Sequence, residues 1–243
     1  TKEAIRYVNV RPGENWETIT LDQEVAAVSA TGSLPFGFAA GNISVALGGE
    51  LRREKGETLV DPGAAARAYA FANFSAFAGK YDVKEAFAEV DVPLIEDGVV
   101  ESLALNAAGR VTDYSTSGRV ETWKVGLTSQ VNGLIRLRGT ASRDIRAPNL
   151  QELFSGGQPL ASNAIDPRTG QNVSIFSTTS GNAALTPEKA DTFSGGLVLT
   201  PTSALSMSLD YYSINVKDAI QSVNTQTVLA RCNAGETSFC TQL

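Results

Sequence analysis

Leu134–Phe154 reads LIRLRGTASRDIRAPNLQELF and joins a two-faced strand to an abrupt polar turn. Ile135, Leu137, Gly139 and Ala141 are apolar or small, and Arg136, Arg138, Thr140 and Ser142 between them are polar. Alternation with period two marks a strand with one apolar and one wet side. Arg143, Asp144 and Arg146 follow. Pro148 then removes a backbone donor and pushes Ala147 out of helical geometry, so the ladder stops there. A strand of about ten residues ends in a polar cap.

Magnitudes decide which side of such a strand can meet lipid. An arginine facing lipid at mid-bilayer costs about 2–4 kcal/mol, so two would use up most of a typical domain's margin of about 5–15 kcal/mol. Arg136 and Arg138 therefore face water or a polar lumen. A slip of one residue would reverse the faces, so the register is strongly specified.

The 243 residues, 42% hydrophobic and 7% aromatic, suffice for one large all-β unit or two ordinary domains. A net charge of −6 without basic runs argues against a nucleic-acid partner. No window approaches 18 consecutive apolar residues, which excludes a helical span and leaves the weaker, alternating signal of a β-span open. The absence of histidine and the presence of only two cysteines remove most zinc and Cys/His catalytic schemes. Cys232 and Cys240 sit in the polar loop RCNAGETSFC. A disulfide there would stabilise by about 2.5 kcal/mol in the chain-entropy model and persist only in an oxidising compartment; the alternative is two reduced thiols.

Along the chain, ETITLDQEVAAVSAT (17–31) sets Ile19, Leu21, Val25 and Ala27 against Thr18, Thr20, Asp22 and Glu24, and LPFGFAAG supplies a turn. Ile43, Val45, Leu47, Gly49 and Leu51 then alternate with polar or small residues, and the two strands pair as a hairpin. Residues 55–82 read as a long connection whose Ala-rich middle is compatible with a short helix. A strand follows at 83–92, with Ala86, Ala88, Val90 and Val92 on one face, ended by Pro93. Further strands carry Leu103, Leu105, Ala107, Gly109 and Val111, and then Trp123, Val125 and Leu127. Asn132–Gly133 is the strongest hairpin signal and leads into the strand quoted first.

From Phe154 to about Pro187 no period is sustained and a long loop is expected. Phe193, Gly195, Leu197 and Leu199 share a face, and after PTSA so do Leu205, Met207, Leu209 and Tyr211. A short helix is compatible with TQTVLARC. The sum is eight strands in an antiparallel up-and-down meander. Its connections alternate between short ones near 32–41, 93–100, 130–133 and 201–204 and longer or more polar ones near 55–82, 113–118, 144–190 and 217–243. Short turns at one end and long loops at the other are the layout of an outer-membrane barrel, whereas a sandwich needs Greek-key crossings.

RLRGTASRDIRAPNLQELF resembles the strand-and-turn signature of TonB-dependent outer-membrane receptors, and LTPEKADTFSGGLVLTP with LSMSLDYYSINVKDAI resembles the strand pair that follows it there. YDVKEAFAEVDVPLIEDG and LALNAAGRVTDYSTSGRVETWKVGL resemble the preceding hairpins, so the likeness covers roughly 34–220. CNAGETSFC resembles the cysteine pair of an outer loop in some members. The resemblance implies part of a transmembrane barrel of about 22 antiparallel strands with long outer loops. It further implies a plug domain elsewhere in the same chain, TonB as energy source and a small-molecule nutrient: siderophore-iron, cobalamin or oligosaccharide. No plug, no TonB-contacting box near Thr1 and no final aromatic-ended strand is read here. Residues 1–243 are thus expected to form a partial barrel domain set in outer-membrane lipid.

No constellation supports catalysis, and neither cofactor nor metal is expected. Glu50, Glu89, Asp91 and Asp210 fall on polar strand faces and read as a solvated lumen wall. Arg110, Lys124, Arg136 and Arg138 are expected to line that wall, either drawing in an anionic substrate or pairing with carboxylates of neighbouring strands and plug. Arg143, Arg146, Pro148, Asn149 and Glu152 are expected to shape the outer rim turn. Trp123, Tyr211 and Tyr114 are candidates for interfacial aromatics. Two rivals remain: a passive porin, which shares the strand pattern, and a soluble secreted β-domain binding carbohydrate. The latter requires Ile43, Val45, Leu47, Ile135 and Leu137 to be buried against a second sheet.

Overall fold

The structure, a computed structural model, describes residues 3–8, 15–69 and 73–241, with backbone alone at 3–8 and 158. Thr1, Gln242 and Leu243 lie outside the described residues, as does the part of the Ala-rich stretch at 70–72. β1 (Glu3–Val8), β2 (Glu17–Phe38), β3 (Gly41–Val60), β4 (Phe77–Glu96), β5 (Ser102–Tyr114), β6 (Gly118–Asn132), β7 (Ile135–Arg146), β10 (Glu188–Thr202) and β11 (Leu205–Lys217) form one sheet in that order. All its neighbours are antiparallel. β8 (Gln158–Ile165) and β9 (Asn172–Thr179) form a separate hairpin between β7 and β10. The helices are short: α1 (Pro62–Ala65), α2 (Leu150–Phe154), α3 (Thr225–Asn233) and α4 (Thr237–Cys240). Among the described residues β1 and β11 are unpaired edges, so the sheet is an open wall.

The eight expected strands are β2 to β7, β10 and β11, whereas β1 and the β8–β9 hairpin were not expected. One face of the hairpin carries Leu160, Ala164, Val173 and Ile175, with Ala164 buried, but Ser162 and Ser177 interrupt it and the run is too short to read as a period. Pro35 and Pro93 do not end strands. Each sits where the register shifts, between Ser33 and Gly37 and between Pro93 and Ile95, and the ladder resumes beyond it. A bulge is where a strand can accommodate a residue without an N–H. The turns shrink accordingly, to 39–40 and 97–101. The long connection shrinks too, from 55–82 to 61–76, because β3 and β4 each run for 20 residues. The upper halves of these strands carry charge on both faces, so no alternation of apolar and polar residues marks them. The connection between β5 and β6 is short, at 115–117.

Directly opposed residues of an antiparallel pair share a face, so the register fixes both faces. One carries Leu51, Leu47 and Val45 of β3, Ala86 and Val90 of β4, Val125 and Leu127 of β6, Leu137 of β7, Leu197 of β10 and Leu209 of β11. The other carries Glu50, Glu85, Arg110, Lys124, Arg138 and Asp210.

In β2 this register reverses the expected phase. Val25 and Ala27 oppose Arg52 and Glu50 on the polar face, while Ala26, Val28 and Ala30 continue the apolar one. Leu21 is apolar for another reason: with Leu150 of α2 it closes on Gly56, where an added Cβ would lie 3.2 and 3.1 Å from their methyls. Tyr114 likewise belongs to the polar face, packed at 6.4 Å against Tyr81, and is not an interfacial aromatic. Trp123 and Tyr211 are on the apolar face.

Among the described residues the wall has no second layer. Leu47 is 56% exposed and Leu137 45%, which removes the buried-face requirement of a soluble sandwich. The fully buried residues gather at the loop end, where Thr58, Ala64, Val83, Pro148 and Leu153 surround α1 and α2.

Candidate functional site

Two constellations carry chemistry-bearing groups: the polar face and the rim at its loop end. On the polar face, the Arg110 guanidinium donates to Glu85 at 2.6 Å and lies 5.3 Å from the Phe87 ring centroid. Phe87 in turn covers Gly48, which has no side chain to displace it. Thr112 donates to the second Glu85 oxygen at 3.0 Å, and Asn106 donates to Glu89 at 2.9 Å. Arg138 reaches across Gly196 to Asp210, with two nitrogens at 2.7 and 3.1 Å from one carboxylate oxygen. Arg136 donates to the Gln130 amide oxygen at 2.7 Å. Among the described residues neither Arg136 nor Lys124 has a carboxylate within salt-bridge distance. Of the four basic residues expected together, the register does place all four on one face; it pairs two and leaves two without a carboxylate.

The rim is built on Arg146, the last residue of β7. Its Nε and Nη2 donate to the two Glu188 oxygens at 2.9 and 2.8 Å, and its Nη1 donates to both Glu152 oxygens at 3.0 Å. Asn149 caps α2: its side-chain oxygen accepts from the Glu152 amide at 2.8 Å, and the Asn149 amide donates to Glu152 at 2.8 Å. This is a complete capping box. Pro148 is buried beneath it. Arg143 makes a second bidentate pair, with Asp191 at 2.7 and 3.0 Å, and Lys217 approaches the same carboxylate at 3.6 Å. Glu188 also accepts from the Ile220 amide at 2.7 Å, tying the segment after β11 to the same hub.

The electrostatics follow from these contacts. The Arg146 hydrogen bonds, with the Ile220 amide second, hold the Glu188 carboxyl down at about 2. For Glu152, partial burial pushes upward, but the bonds from Arg146 and the Asn149 amide outweigh it and its pKa falls. Arg146 is raised by the same two carboxylates. The rim residues therefore serve one another, and RAPNLQE is a structural clasp.

The long loop expected from Phe154 to about Pro187 contains the β8–β9 hairpin. Gln226 of α3 clips onto it, accepting from the Ile165 amide at 2.7 Å and donating to the Ile165 carbonyl at 3.0 Å. Cys232 and Cys240 form a disulfide joining α3 to α4. Sequence reasoning assigned no role to Glu85, Glu188, Asp191 or Gln226. Glu188 lies 42 residues from Arg146, and only the β7–β10 register, which sets the two opposite each other, brings them together. No group of three or more metal-binding side chains occurs among the described residues.

The chain belongs to the TonB-dependent receptors: the model of their β-barrel, described as "TonB dependent receptor-like, beta-barrel", matches residues 6–240. No curated protein matches it. Among solved structures, a variant of the ferric enterobactin receptor of Pseudomonas aeruginosa is 19% identical with a TM-score of 0.63, covering 83% of this chain and 28% of that one. The siderophore receptor PirA of Acinetobacter baumannii is 17% identical with a TM-score of 0.54, over 84% and 28% of the respective chains. The PirA receptor of Pseudomonas aeruginosa is 16% identical with a TM-score of 0.56, over 88% and 38%. Such identities establish a shared fold, and the chain spans well under half the length of each.

Proposed function

We propose that this chain is a wall segment of an outer-membrane receptor that takes up a ferric siderophore with energy delivered through TonB. The observation that carries the reading is the two-faced single layer, apolar along one side of eight strands and polar along the other, in a chain of this family. In this reading the apolar face meets outer-membrane lipid and the polar face lines the lumen. Arg110 and Arg138 are held by neighbouring carboxylates, whereas Lys124 and Arg136 are left for a plug domain of the same full-length protein or for an anionic load. The kinship with siderophore receptors favours an iron chelate over cobalamin or an oligosaccharide. The chain acts as a transport component and carries out no chemistry on its cargo.

The test uses the full-length protein in its own bacterium. Outer-membrane recovery with a heat-dependent mobility shift, together with uptake of labelled ferric siderophore that requires both this gene and TonB, supports the reading. Soluble recovery without a shift overturns the barrel, and TonB-dependent uptake of cobalamin or oligosaccharide alone overturns the siderophore.

A further inference from the structure

We infer that the polar face of β6 and β7 carries a two-station track for an anion, ending in a site built around Arg136 near the short-turn end; this rests on the receptor reading above and gives its anionic load a route along the wall. On that face Lys124 stands opposite Ser142. The rows that follow toward the short turns are Gly126 with Thr140 and Ser194, Thr128 with Arg138 and Gly196, and Gln130 with Arg136 and Val198. Three rows separate the two cations, about 20 Å along the strand.

Arg136 is set apart by how it is held. Its Nε donates to the Gln130 side-chain oxygen at 2.7 Å. Gln130 is fixed in turn: its side-chain nitrogen donates to the Asn132 carbonyl at 2.7 Å, and the Asn132 side-chain oxygen accepts from the Leu134 and Ile135 amides at 3.0 Å. A neutral group thus orients the guanidinium through one nitrogen, and its two terminal nitrogens have no partner among the described residues. A guanidinium held in this way keeps its whole charge and a free fork, the geometry that takes two oxygens of one anion. Arg138 is the contrast, because two of its nitrogens share one Asp210 oxygen and the pair is neutral.

The surroundings confine the track. Between the stations the wall lacks bulk: Gly126 is buried, and the Thr140 and Ser194 hydroxyls bond to each other. On β4 the rows of Lys124 and Gly126 carry Glu89 and Asp91. Asn106 donates to Glu89, and Asp91 has no cationic partner among the described residues. Toward the loops Asp144 accepts from Ser142 at 2.8 Å. The charges of β3–β5 close on themselves, with Arg52 between Glu50 and Glu54 at 3.3 and 3.5 Å and Arg110 on Glu85 at 2.6 Å. An anion is therefore turned away from β4 and drawn to β6 and β7. The wall sorts charge across its width.

The test uses the full-length protein in a planar lipid bilayer, with the plug displaced by urea and chloride as the probe. The reversal potential in a potassium chloride gradient gives the chloride-to-potassium permeability ratio. The double variant Lys124→Gln, Arg136→Gln is expected to lower that ratio about threefold, from the loss of two cations on the wall. Gln130→Glu, which leaves Arg136 in place and gives it a carboxylate, is expected to lower it too. Arg138→Gln with Asp210→Asn removes a neutral pair and is expected to leave it unchanged. Folding of each variant is checked by heat-dependent mobility. An unchanged ratio in the double variant or in Gln130→Glu, or an equal fall on removing the neutral pair, would overturn the track. A wild type with neither a mobility shift nor a current would instead strike at the barrel reading.

Discussion

Gly79 and Gly109 are both glycines in strand interiors, and their surroundings give them opposite roles. A Cβ on Gly79 would overlap the Phe154 ring of α2, whereas one on Gly109 would meet nothing within 4 Å. Gly79→Val is therefore expected to lift Phe154 and with it Leu153, which is only 2% exposed, at a cost of about 1–3 kcal/mol from overpacking. Gly109→Val is expected to leave the protein unchanged or slightly more stable, since a strand interior favours a β-branched residue. Thermal unfolding of the full-length protein in detergent distinguishes the two, and equal effects would refute the packing argument. Nothing in the sequence ties Phe154 to Gly79, which is 75 positions away and falls in the stretch 55–82 that reads as a connection. Arginine positions were legible because their period was. Their partners were not, because ion pairing depends on which strand lies alongside.

Elements were read to the extent that one of their faces is apolar. The long strands with apolar faces were all legible, whereas the upper halves of β3 and β4, charged on both sides, and the β8–β9 hairpin, whose apolar face is broken by Ser162 and Ser177, gave no period to read. β2 shows the limit most clearly: Leu21 and Val28 are both apolar, one for the rim cluster and one for the outer face, and a single period fitted to both takes the wrong phase. The loop element α2 depends on its cap, so Asn149→Ala is expected to cost about 1 kcal/mol and speed proteolysis between β7 and β10.

Its attachment to β10 is acid-sensitive. The Glu188 carboxyl titrates at about 2 in the folded rim against an ordinary value of 4.5. A depressed carboxylate contributes stability above its unfolded pKa and loses it as pH falls, so the clasp should weaken between about 4.5 and 2. Protection of the Ile220 amide, measured against the exchange rate of an unstructured amide at the same pH, should fall in that window, and Glu188→Gln should already lower it at neutral pH. A protection factor that does not change with pH would rule out Glu188 as its anchor.

For the whole molecule, the register in β2 makes the sharpest demand. Val28→Arg puts a charge on the apolar face and is expected to cost about 2–4 kcal/mol, while Ala27→Arg, one residue away, faces Glu50 and is tolerated. The yield of heat-modifiable protein in the outer membrane reads the difference, and the reverse order would restore the phase taken from alternation alone. The loop end adds a mechanical consequence. The segment after β11 is pinned twice, by the Ile220 amide to Glu188 at its root and by Gln226 to Ile165 at its far side. A body fixed at two points keeps a single rotation, about the line through them. The disulfide-bonded tip and the β8–β9 hairpin are thus geared together, and a load that tilts one must turn the other.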